Sequence, residues 1–132
     1  MKTLAALKRV YSTQFELYEY IIRHGIPIDD TSDVVMRRTL GELADASEKI
    51  LDHIHLNACH DSMFMYVRTA LASVQNSLSL LDSQLQIIED LDRRLPPGQS
   101  DGFAMYREKL NDAIDIANDA ANILNARLTE EF

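Results

Sequence analysis

Three of the four histidines, His53, His55 and His60, cluster with Asp52 and Cys59 near the middle of the chain. A metal site in a helical protein needs ligands on one face at spacings of three or four, drawn from several helices. Asp52 and His55 have the first spacing, and His53 and His60 are two turns apart. The carboxylate-bridged di-iron pattern needs Glu-x-x-His on two helices, and the chain holds none. Covalent haem attachment needs Cys-x-x-Cys-His, which a single cysteine cannot supply. Cys59 beside His60 is not a nucleophile–base dyad by adjacency, because neighbours on a helix point about 100° apart. The acidic pairs Asp29-Asp30 and Glu130-Glu131 fall in a connection and a tail and read as solvated charge. No glycine-rich phosphate loop is present. We therefore expect no catalytic residues, no metal ligands and no cofactor. The histidines read as residues near a turn, with a metal- or cofactor-binding bundle, or a histidine phosphotransfer-like module, as the alternatives.

Charge limits the partners. Twenty-one acidic against thirteen basic side chains give a formal net charge of −8. Such a field repels phosphate backbones and anionic lipid surfaces, so neither nucleic acid nor membrane is expected as a partner. No apolar run approaches the roughly 18 residues of a membrane span. Lys8 and Arg9 interrupt the apolar start before a signal-peptide core forms. With one cysteine and no disulfide partner, a cytoplasmic location is expected. The 132 residues, 46% of them hydrophobic, fill one domain, and only four Gly and three Pro suit long helices better than a many-turned β fold.

The elements follow from periodicity. From Asp61 to Leu95, the residues Phe64, Val67, Leu71, Val74, Leu78, Leu81, Leu85, Ile88, Leu91 and Leu95 form one helical stripe. A rod of this length, roughly 50 Å, buries such a stripe only against companion helices. The spacing predicts helices over 3–24, 32–57, 62–95 and 101–129, and hence an all-α, antiparallel up-down-up-down four-helix bundle occupying residues 1–132 as a single domain. Expected inner faces are Leu4, Leu7, Tyr11, Phe15 or Gln14, Tyr18, Ile21 and Ile22 in the first helix. In the second they are Val35, Leu40, Leu43, Ser47, Ile50, Leu51, Ile54 and Ala58. In the fourth they are Phe103, Tyr106, Leu110, Ala113, Ala117, Ala120 or Ala121, Leu124 and Leu128. Gly25 suits a left-handed helix end, Ser32 is the expected cap of the second helix, and Gly41 reads as a point of close helix approach. Asn57 to Ser62 reads as a tight turn, and Leu95-Pro96-Pro97-Gly98 as a firm break.

Two faces stand out as interaction candidates. The first helix carries Tyr11, Phe15, Tyr18 and Tyr20 among Lys2, Lys8, Arg9 and Arg23, against only Glu16 and Glu19. Aromatics beside arginine are the composition of protein interfaces. The last helix carries Asn111, Asp115, Asn118, Asn122 and Asn125 in one stripe, where an idle surface would favour Glu, Lys or Gln. Residues 25–60 and 99–132 each hold three basic and seven acidic side chains, so the basic first helix has acidic counterparts and a homodimer is a possible assembly. The reading is a non-enzymatic protein-binding bundle of adaptor, chaperone or regulator type, working through helix–helix packing on another protein of unknown identity.

Overall fold

A computed structural model describes the backbone of residues 2–55, 60–94 and 101–130, and the side chains of 2–54, 63–94 and 103–129. The described residues form four helices and no strand: α1 Lys2–His24, α2 Asp30–His55, α3 His60–Arg94 and α4 Asp101–Glu130. Each of α1 and α3 packs against both α2 and α4, while α1 and α3 touch only lightly. The joint expected to be a tight turn at 57–62 and the break after Leu95 fall mostly outside the described residues, as do Cys59 and Ala58.

Local chemistry sets the ends. Gly25 adopts φ +61°, the amide of Ile26 reaches the Ile21 carbonyl at 3.0 Å, and that of Gly25 reaches Ile22 at 3.4 Å. This pair of bonds closes α1 and turns the chain, and only glycine enters that backbone region cheaply. The second helix starts earlier than expected. Asp29, not Ser32, is its cap: the Asp29 carboxylate accepts the Ser32 amide at 2.7 Å, and its backbone carbonyl accepts the Asp33 amide. Those bonds from Ser32 hold the Asp29 carboxyl below the usual carboxylate range.

Two apolar clusters make up the core. One joins Leu7 and Val10 to Leu43 and Ile50, to Val67 and Val74, and to Ala117 and Leu124. The other joins Leu17 and Ile21 to Met36, to Leu81 and Ile88, and to Tyr106 and Leu110. Between them in sequence on α1 and α3 lie Gln14, 1% exposed, and Ser77, fully buried, whose hydroxyl donates to Gln14 Oε1. Gln14 Nε2 has no partner among the described residues. Buried hydroxyls elsewhere turn back on their own helix, Thr39 to the Val35 carbonyl and Ser73 to that of Thr69.

The expected stripe on α3 is borne out at Val67, Val74, Leu81 and Ile88, which are buried, and that on α4 at Tyr106, Leu110, Ala113, Ala117, Ala120 and Leu124. On α1 the inner position is Gln14 rather than Phe15, and Ile22 is exposed. On α2, Met36 and Ala46 lie inside and Ile54 is exposed. The close approach expected at Gly41 is absent: it is exposed, and a Cβ there would meet nothing within 4 Å.

Candidate protein-interaction face

Helix α1 carries two parallel seams one residue apart. The inner seam, Thr3, Leu7, Val10, Gln14, Leu17 and Ile21, is buried. The neighbouring seam is Leu4, Lys8, Tyr11, Phe15, Tyr18 and Ile22. Leu4, Tyr11 and Tyr18 are half-buried and pack their inner edges on the core. Phe15 is 42% exposed and Ile22 64%. The rings of Tyr11 and Phe15 stack at 6.0 Å, nearly parallel, and so present one continuous aromatic surface.

Tyr18 anchors this flank. Its hydroxyl donates to Asp33 Oδ1 at 2.7 Å, and Arg37 holds the other carboxylate oxygen at 2.9 Å. Because the anion stabilises the neutral phenol, that hydrogen bond, helped by burial, raises the Tyr18 pKa. The sequence offered no cue that Asp33 and Arg37 of α2 would meet Tyr18. Beyond Arg37 on the same flank of α2, Gly41 and Ala44 are exposed and short, so no bulky side chain walls off the seam there.

Tyr20 lies apart from this group. Its ring stacks on Tyr106 of α4 at 6.3 Å, lies 4.2 Å from His24 and takes the Lys109 ammonium at 5.2 Å. It serves the α1–α4 contact, beside a Tyr106 whose buried hydroxyl is pushed far above the ordinary phenol range. The α4 stripe of Asn111, Asp115, Asn118, Asn122 and Asn125 is exposed throughout, on the face turned away from the core. The structure therefore brings Tyr11, Phe15 and Tyr18 together and leaves Tyr20 and the α4 stripe elsewhere.

Of the histidine cluster, only the His53 side chain is described; those of His55 and His60, and Cys59, lie outside the described residues. His53 is half-buried and meets the edge of Tyr66 at 4.5 Å. Among the described residues, no group of three His, Cys, Asp or Glu side chains converges as a metal site. A groove of about 520 Å³ between α2 and α3 is lined by hydroxyl residues, among them Thr31, Thr39, Ser79 and Ser83, together with Val35 and Leu80. Its charges, Arg38 and Glu42, form an exposed pair one turn apart at 4.0 Å. Among the described residues no helix is long and apolar enough to cross a membrane. Comparison with protein-family models, curated proteins and solved structures finds no match for this chain.

Proposed function

We propose that this chain is a non-catalytic, protein-binding helical bundle of adaptor, chaperone or regulator type, acting by helix–helix packing through the exposed flank of α1. The observation that carries the reading is the pair Phe15 and Ile22, exposed on the same flank as Tyr11 and Tyr18 of the one net-basic helix. Exposed aromatic and aliphatic groups rimmed by charge are where binding energy concentrates at interfaces. The assignment to adaptor-type proteins rests on fold-level analogy. We place the protein in the cytoplasm, where a single cysteine stays reduced.

The helices form one domain running up-down-up-down. What supports this is the make-up of the two core clusters: one joins the early part of α1 to the late part of α2, the early part of α3 and the late part of α4, and the other joins the opposite parts.

Removing α1 is not a usable test, since Leu7, Val10, Leu17 and Ile21 belong to the core. The test is Phe15→Asp with Ile22→Asp, two exposed positions, in a chain whose far-UV dichroism and thermal midpoint match the parent. Partners cross-linked to the parent in its host should be lost from the variant. An unchanged set of partners would refute the assignment of this flank.

A further inference from the structure

We infer that the α1 flank is a self-association surface, on which a second copy of the chain lays its own α1 antiparallel. This rests on the reading of that flank as a protein-binding face and names what covers it. Two observations point to a second copy. First, the seam Leu4, Lys8, Tyr11, Phe15, Tyr18, Ile22 reads the same from either end, with steps of four, three, four, three and four. Antiparallel pairing about a two-fold axis near residue 13 therefore sets Leu4 against the other copy's Ile22, and Tyr11 against its Phe15, twice over. A two-fold interface requires such self-complementarity. Second, charge along the exposed side of α1 is arranged end to end. Exposed Lys2, Lys8 and Arg9 lie in the first half, and exposed Glu16 and Glu19 lie in the second with Arg23 beside them. The same register brings Lys8 of one copy level with Tyr18 of the other, one residue from Glu19. Glu19 is only loosely engaged within its own chain, 3.7 Å from an exposed Arg23.

The neighbouring α2 flank fits this arrangement. Gly41 has no contact within its own chain that calls for glycine, and with Ala44 it leaves the rim beside the seam low. A helix of 23 residues is about 34 Å long. Two such helices side by side bury roughly 1,000 Å² in total, at the lower edge of specific association. The dimer is accordingly weak and exchanging.

The experiment is sedimentation equilibrium of the full chain from about 1 μM to 1 mM, a range suited to weak association. The parent should pass from monomer to dimer. Phe15→Asp should weaken the dimer at least tenfold. Lys8→Glu and Glu19→Lys should each weaken it severalfold, and the double charge swap should return it to within about threefold of the parent, since it rebuilds the pair with its sign reversed. Lys8 and Glu19 are both exposed, so these variants remain informative if Phe15→Asp disturbs folding. Direction is read from spin labels in a Cys59→Ser background. An Ala5→Cys label should lie on the order of 25 Å from its symmetry mate, against a near contact if the helices were parallel. A monomer throughout the range, a dimer indifferent to Phe15→Asp, or a double swap that fails to recover would each overturn self-pairing. If the chain stays monomeric while cross-linked partners are still lost with Phe15→Asp and Ile22→Asp, the protein-binding role stands and only the second copy is excluded.

Discussion

Replacing Gln14 by Leu should make the protein more stable, although it removes a buried hydrogen bond. Gln14 is 1% exposed and uses its amide oxygen on Ser77, while its amide nitrogen has no partner among the described residues. A buried unpaired polar group costs about 1–3 kcal/mol, comparable to or larger than the net worth of one neutral hydrogen bond, about 1 kcal/mol. Leucine fills a similar volume, and the freed Ser77 hydroxyl can turn to the carbonyl of Ser73 one turn back, as Thr39 and Ser47 do on α2. The balance favours the variant by about 1–2 kcal/mol, or roughly 3–8 °C in the thermal midpoint of a chain this size. Ser77→Ala has the opposite sign: it strands both ends of the amide and should cost about 1–3 kcal/mol. The double variant should be at least as stable as the parent, so the two changes should depart from additivity by about 2 kcal/mol. Urea and thermal unfolding followed by far-UV dichroism measure all four proteins. A Gln14→Leu chain less stable than the parent by more than about 1 kcal/mol would refute the reasoning, because the amide would then be making interactions beyond the one to Ser77.

Gly41→Ala should stabilise α2 by up to about 1 kcal/mol, since a Cβ there meets nothing and alanine restricts the unfolded chain; the same unfolding measurement checks it. Tyr18→Phe should cost about 1 kcal/mol, the loss of a partly exposed hydrogen bond to a carboxylate that Arg37 still holds. A double cycle with Asp33→Asn should show coupling. The Asp29 cap sets a pH dependence. Its pKa is lowered in the folded chain, so its contribution is fully present above the ordinary Asp value near 3.9 and is lost as pH falls through the lowered value. The Ser32 amide resonance should titrate with it, and Asp29→Ala should abolish that titration and lower the thermal midpoint.

The long helices were legible because their apolar residues recur at steps of three and four over many turns, as Val67, Val74, Leu81 and Ile88 do. The stop at Gly25 was legible because few residues other than glycine enter the left-handed region. The cap of α2 was not: Asp29, Thr31, Ser32 and Asp33 can all accept a backbone amide, and the turn after Pro27 decides which one is in place. How the α1 candidates group was not legible from pattern alone. Tyr18 and Tyr20 are two residues apart and stand on opposite flanks, one meeting Asp33 and the other Tyr106. Which tyrosine faces outward depends on neighbours contributed by α2 and α4, and periodicity within α1 carries no information about those.

The choice between the two seams of α1 can itself be argued. Turning α1 by one residue, about 100°, would bury Phe15 and Ile22 and expose Gln14. Full burial of a phenylalanine or isoleucine is worth about 1.5–3 kcal/mol each, so on hydrophobicity at these positions alone the turned helix would win. It would also carry Lys8 into the core and draw Leu7, Leu17 and Ile21 out. The burial lost at Leu7, Leu17 and Ile21 offsets the gain at Phe15 and Ile22, and a neutral amide with one satisfied end is far cheaper to bury than an ammonium with none, so those residues and Lys8 together keep the observed seam inside. The same lysine then stands on the flank left outside, within reach of a carboxylate on a second copy. Lys8 thus helps to reject the wrong rotation of the helix within the bundle and, on our proposal, lies at the seam between copies, one residue from the level of Glu19.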